Sequence, residues 1–262
     1  MIVRGIERAE RREKRGFRWR GREVSRIEAL SDAVFGFAIT LLVVSLEVPR
    51  TAADLLQAMR GMVAFAACFA MLFLVWHHQY RFFRRYGLED GVTMVLNAVL
   101  LFVVLFFVYP LKFLWGHMIG RVMGDPGWVT AADGTRVPVI AHGDGDALML
   151  IFGSGYVAVF VIFALLHLHA LRRREDLQLD VLEVYDTRDN VRETALNAGI
   201  GLLSIGIVVF GGDAGISGLV YWLIGPAMAV HGYVSGRGRG RLVARLASEH
   251  ANAGAAGPVL SG

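Results

Sequence analysis

The sequence predicts an all-α integral membrane protein, a bundle of six spanning helices. Mean hydropathy is positive, at +0.50, and 55% of the residues are hydrophobic. The apolar residues fall in blocks of roughly 20, near the number that crosses a bilayer, rather than in short amphipathic stripes. Arginines gather between these blocks and not within them. A soluble fold has too little polar surface to cover so many long apolar runs, so that class is set aside.

The chain opens on a strongly basic segment, 1–25, with no cleavable apolar core behind it. It reads as a cytoplasmic lead-in whose charges anchor the topology of a retained first helix. The spanning blocks follow at 30–46, 62–76, 92–113, 148–171, 195–210 and 216–233, inside a transmembrane domain covering 26–235. The first two are short for a bilayer, so their helices are expected to run on into the flanking polar residues. Between the third and fourth blocks, Asp125-Pro126-Gly127 and Asp133-Gly134 are turn signals. They predict an extracytoplasmic hairpin with a short strand at 136–140. The connection at 177–190 mixes apolar and acidic residues and is expected to lie against the membrane surface or a neighbouring subunit. The tail, 236–262, is basic and rich in Gly and Ala; it is expected to be flexible apart from a short helix at 242–250.

Basic clusters at 18–26, 81–85, 172–174 and 237–245 all lie on one side of the bilayer if both termini are cytoplasmic. A multi-pass protein of the cell's inner (plasma) membrane is therefore expected. The net charge of +4 is a topology signal, and nucleic acid is not an expected partner. The single cysteine, Cys68, excludes an intramolecular disulfide and reads as a buried thiol.

The candidate functional residues lie on the first helix. Phe37, Thr40, Leu41 and Val44 recur at i, i+3, i+4 and i+7 and share about a 100° arc. Glu28 and Asp32 are one turn apart, an arrangement that is mildly repulsive when both are charged. A carboxylate at the membrane edge needs a partner. His77, His78, Arg81 and Arg84 at the end of the second block are the candidates, because Arg26 lies on the wrong side of its own helix. Asn97, Asn197 and Ser204 are placed to make interhelical hydrogen bonds, while His167, His169 and several Trp and Tyr residues read as interfacial. Phosphate loops, zinc-ligand spacings, nucleophile elbows and dinucleotide fingerprints do not occur, which argues against an enzyme and against any cofactor or resident metal. A channel and a proton-coupled small-solute carrier, the latter using Asp32 and a histidine as its relay, both fit these residues.

The run Arg26-Ile-Glu-Ala-Leu30-Ser31-Asp32 resembles the Arg-x-x-x-Phe-Ser-Asp signature of the transmembrane protein 175 potassium channels of lysosomes and bacteria. The following AVFGFAITLLVV and Trp76-His77-His78 are also similar to bacterial members, and the resemblance extends over about 30–233. It implies a potassium channel without a TVGYG filter, assembled as a homotetramer around a central pore lined by the first helix. It also implies passage of K+ and other monovalent cations, an apolar constriction at Phe37, a threonine ring at Thr40, further apolar rings at Leu41 and Val44, and a structural motif of Arg26, Ser31, Asp32 and His77. No metal is implied beyond transient K+ in the pore. The sequence departs from the family's pattern at Leu30, in place of Phe, and at Phe37, where Ile or Leu is usual; a fourfold Phe ring would narrow the pore or gate it by dewetting.

Overall fold

The structure, a computed structural model, describes residues 17–21, 23–44, 50–124, 127–131, 134–141 and 143–255. Helix α1 is Arg26–Val44, α2 Ala52–Tyr86 and α3 Gly91–Val122. Strands β1, Trp128–Thr130, and β2, Arg136–Pro138, form an antiparallel hairpin with Val129 opposite Val137. Helices α4, Asp144–Arg172, and α5, Val181–Val209, follow. The last span begins as α6, Ala214–Leu219, tightens into a 3-10 turn, Val220–Leu223, and continues as α7, Ile224–Ala255. Among the described residues six helices are long and apolar enough to cross a membrane, with α6, the turn and α7 counting as one.

Helices α2, α5 and α7 outlast their apolar blocks for local reasons. Helix α2 continues ten residues past Trp76 because Gln79, Phe82, Phe83 and Tyr86 prolong the buried helical period of Leu72. Helix α5 starts well before its apolar stretch. Asp180 accepts from the Glu183 amide at 2.8 Å and the Glu183 side chain accepts from the Asp180 amide at 3.2 Å, closing a capping box. The 181–190 part of the expected surface connection is therefore helix. The tail departs from expectation too, since α7 runs unbroken through 236–255. Gly238 admits a close neighbour, because a Cβ there would collide with the Tyr185 hydroxyl of α5. That hydroxyl donates to the Ser235 carbonyl at 3.0 Å, and Arg239 pairs with Asp186 at 2.9 Å. The hairpin agrees with the sequence reading; Asp125, Pro126 and Asp133 of its expected turns lie outside the described residues, as do 1–16, Ser45, Leu46 and 256–262.

One apolar core joins the first four helices: Phe35, Ala38 and Leu42 from α1, Leu72, Phe82, Phe83 and Tyr86 from α2, Leu100, Val104 and Val108 from α3, and Phe163 and Leu166 from α4. Cys68 is fully buried within it. Helix α5 packs along α4, and the last span packs on α5 with its α6 start also touching α4. Asn197 accepts from the Tyr156 hydroxyl at 2.8 Å, and Ser204 meets Ser217 at 2.7 Å, the interhelical use expected of both. His167 departs from its expected interfacial place: it is buried against Phe82 and Tyr86, with Nδ1 2.8 Å from the Phe163 carbonyl.

The end of the basic lead-in is docked rather than free. Phe17 enters the core edge-on to Tyr86. The Arg20 guanidinium grips both Glu183 oxygens and donates to the Leu177 carbonyl at 2.8 Å, while the Arg18 amide donates to Glu183 Oε1 at 3.0 Å. Gly21 allows this segment to lie on the end of α2, where a Cβ would meet the Phe83 carbonyl at 2.8 Å. Between α2 and α3, Asp90 caps α3 through the Thr93 amide at 2.9 Å and meets His169 Nε2 at 2.6 Å. Burial alone would raise its carboxyl, but the Thr93 amide and the His169 ring outweigh that and hold it at about 2.

Glu183→Ala removes a helix cap and leaves the Arg20 guanidinium, 13% exposed, without its partner. It is expected to cost about 3 kcal/mol, read as a lowered thermal midpoint of the purified protein in detergent. A folded-state carboxyl held below its unfolded value stabilises the fold above the ordinary carboxylate range and loses that contribution as pH falls. The gap in midpoint between the natural protein and Asp90→Asn is therefore expected to be full at about pH 5 and to close as pH falls from about 4 toward 2.

Candidate functional site

Helix α1 starts at a capping box. Ser25 Oγ accepts from the Glu28 amide at 3.1 Å, and Glu28 Oε2 accepts from the Ser25 amide at 2.9 Å. This answers the crowding of acids at the helix entrance: Glu28 is buried and turned back on the backbone, leaving Asp32 alone on its own face. Asp32 takes a partner from α2, and it is not one of the four expected cations. The Trp76 indole N–H donates to Asp32 Oδ1 at 2.7 Å.

Three of the four expected partners are engaged elsewhere, and the fourth, Arg81, is exposed. His77 is stacked between Phe73 and Tyr80. His78 Nδ1 lies 2.9 Å from the Leu74 carbonyl and its Nε2 3.9 Å from Glu193 on α5. Arg84 donates to the Gly21 carbonyl at 2.9 Å. Arg26 is exposed, and it has no polar partner among the described residues. Within one subunit the motif that holds α1 is thus Ser31 and Asp32, with Trp76 in the place expected for His77.

Ser31 carries the deeper contact. Its hydroxyl donates to the Ile27 carbonyl at 2.7 Å and accepts from Asn97 Nδ2 of α3 at 3.0 Å. Asn97 Oδ1 in turn accepts from Gln79 Nε2 of α2 at 2.6 Å. All three side chains are buried. A single amide therefore ties α1, α2 and α3 together where no water competes for its bonds. Gln79 was not singled out from the sequence; its place seven residues after Leu72 on the buried period of α2 was the available signal.

These contacts set which way α1 faces. Glu28, Ser31, Phe35, Ala38 and Leu42 are its buried residues, and their 3-4-3-4 spacing marks one stripe. Among the described residues, helix α1 packs on α2 and α3 alone. Its opposite stripe looks away from the subunit: Phe37 is 56% exposed, Val44 72%, and Thr40 is exposed as well. Leu41 stands at the flank and is half-buried against the core. The Thr40 hydroxyl donates to the Gly36 carbonyl at 2.9 Å. Its proton is thereby committed to the backbone, and its oxygen lone pairs are the polar feature left on an otherwise apolar stripe. Among the described residues no group of three His, Cys, Asp or Glu side chains is arranged to hold a metal, and no histidine meets Asp32.

A family profile described as endosomal/lysosomal potassium channel TMEM175 matches residues 26–107, which takes in α1, α2 and the first half of α3. A protein of Marivirga tractuosa named potassium channel is 37% identical over 232 residues, covering 87% of this chain and 94% of that protein. One of Chamaesiphon minutus, also named potassium channel, is 33% identical over 105 residues, 37% of this chain and 52% of the relative. Among solved structures, a variant of the potassium channel MtTMEM175 in complex with a nanobody fusion superposes with a TM-score of 0.73 at 36% identity, covering 85% of this chain and 98% of that one. The TMEM175 homologue of Chamaesiphon minutus, at 22% identity and a TM-score of 0.52 over 78% of this chain and 95% of its own, shares the fold.

Asn97→Leu keeps the volume and removes both bonds. Ser31 retains its bond to Ile27, so the loss falls chiefly on the buried Gln79 amide, and a destabilisation of about 2 kcal/mol is expected in a thermal melt. Adding Gln79→Leu to that variant is expected to restore part of the loss, because both polar partners are then gone.

Proposed function

The chain belongs to the TMEM175 family of potassium channels, and from that footing we propose that it conducts K+ as a homotetramer whose four α1 helices line a central pore. It is a multi-pass membrane channel and not an enzyme. The observation that carries the finer reading is the orientation of α1, which among the described residues packs only on α2 and α3 and turns Phe37, Thr40 and Val44 away from its own subunit. Four such stripes brought to a common axis stack as rings, because a closed cyclic assembly repeats each residue at one height.

Phe37 forms the narrowest ring, an apolar constriction that a hydrated ion crosses only by shedding part of its water. Thr40 stands one turn away and supplies four hydroxyl oxygens, their protons held by Gly36 carbonyls, so lone pairs face the ion. Leu41 and Val44 continue the apolar wall. Selection without a TVGYG carbonyl filter, a sequence the chain lacks, rests on the cost of partial dehydration, which is smaller for K+ than for Na+. Selectivity is therefore modest, and other monovalent cations pass. Ser31, Asn97, Asp32 and Trp76 hold the lining helix in rotation.

In this reading the channel domain is 26–235, both termini are cytoplasmic and the protein resides in the inner membrane, with 1–25 and 236–262 as basic cytoplasmic extensions. The arginine-rich ends of α2, α4 and α7 support that orientation.

Potassium flux into liposomes bearing the purified protein tests the pore. Thr40→Val is expected to lower the preference for K+ over Na+ several-fold while leaving total flux of the same order. Phe37→Ala is expected to raise conductance several-fold by widening the constriction, with the tetramer checked by size exclusion. Flux unchanged by both, but altered by Ile39→Ala on the other side of α1, would place the pore elsewhere.

A further inference from the structure

A groove of about 560 Å³ opens at the α5 entry end of the bundle, between the α4–α5 connection, the first three turns of α5 and the α7 helix. Val181, Val184, Arg188 and Arg192 line it from one side of α5, a spacing that places them within about a 100° arc. Arg174 closes it from the connection and Leu242 from α7. This is the one region of α5 where cations are left over. The acids of α5 are already taken: Glu183 by Arg20, Asp186 by Arg239, Asp189 by His231 and Glu193 by His78, which leaves Glu175 as the acid in the groove's lining. Arg188 and Arg192 are exposed and pair with no carboxylate among the described residues. Arg174 has only a 3.8 Å contact with Glu175, whose side chain is 88% exposed.

We propose that this groove binds a phosphate-bearing organic anion. Two guanidiniums one helical turn apart, with a third across a cleft, suit a tetrahedral phosphate, whose several oxygens accept parallel N–H bonds from more than one arginine. The apolar wall of Val181, Val184 and Leu242 gives the organic part of the molecule a surface to cover. Depth leaves two sources within reach. Arg192 lies three residues, about 5 Å, before the apolar stretch of α5 that starts at Ala195, and Arg188 about 10 Å before it. The groove thus rises from the headgroup layer into the aqueous phase, where a phospholipid headgroup and a soluble organophosphate both arrive. The inference stands apart from the pore assignment, since it uses no residue of α1.

The test is binding to the full-length protein in nanodiscs, with two probes. In one arm phosphatidylglycerol replaces phosphatidylcholine and lipid retained on the protein is read by native mass spectrometry. In the other, labelled ATP is titrated into phosphatidylcholine discs. The double variant Arg188→Gln/Arg192→Gln is expected to weaken the probe that binds by about tenfold, the loss of two charge-assisted contacts. The control Arg237→Gln/Arg241→Gln removes the same charge outside the groove and is expected to bind as the natural protein does. Retention of phosphatidylglycerol alone identifies the lipid source, and ATP binding alone the soluble one. The proposal is overturned if neither probe binds, if the groove variant binds as well as the natural protein, or if the control loses as much, which would mark diffuse charge. It is overturned too if the groove variant alone falls apart on size exclusion, which would make these arginines a contact between subunits.

Discussion

The side-chain amide of Asn97 is the contact on which the candidate site depends. In the interior of a helical bundle an unpaired amide is costly, so its donor and acceptor each demand a partner. Here the donor finds Ser31 on α1 and the acceptor finds Gln79 on α2. Packing among apolar side chains tolerates some sliding and rotation of a helix, whereas a pair of hydrogen bonds does not. Once Ser31 faces Asn97, the helical period puts Phe35, Ala38 and Leu42 inside and Phe37, Thr40 and Val44 outside. Asp32 and Trp76 add a second point of attachment on the adjacent residue, so α1 is held from α3 and from α2 at once.

The polar contacts of the other helices crowd toward one end of the bundle. Glu183 gathers Arg18 and Arg20, Asp90 gathers Thr93 and His169, and Arg239 reaches Asp186. The lead-in and α7 are thereby sewn to α5, and the α2–α3 connection to α4, where water and headgroups begin. The hydrocarbon-depth part of the same helices relies on small polar pairs, such as Ser204 with Ser217, and on apolar packing. This division follows the solvent: charged pairs are affordable at the edge and expensive in the middle. It also explains why helices extend past their apolar blocks, since polar turns at the rim still have partners.

Much of the fold was legible. Six apolar blocks, arginines at their ends, and the turn residues of the 128–138 hairpin all follow from composition at the scale of a helix or a turn. So did the stripe on α1, because helical period depends on spacing alone. The chain carries further local signals: Ser25-x-x-Glu28 and Asp180-x-x-Glu183 are capping boxes, and the second shows that α5 begins at 181. Charge is the louder signal in the sequence, and it points to cations as the partners of Asp32. Trp76, adjacent to the favoured histidines, has a polar edge that an apolar run conceals. His167 looked interfacial for the same reason in reverse, as a polar label on a side chain that the fold buries.

By itself, then, the sequence determined the class of solvent, the number of crossings, the side on which arginines collect and which residues share each helical face. These are one-dimensional properties, set by hydropathy, charge and a fixed rotation of about 100° per residue. The tertiary structure alone decided which face turns inward. A helix with apolar residues all around carries no internal preference between its stripes, and the choice on α1 was made by Asn97 and Trp76, residues 44 to 66 positions away in the chain. It likewise decided which charges are spent and which are left over at the groove on α5. Pairing is a property of distance in space, and no spacing along the chain records it.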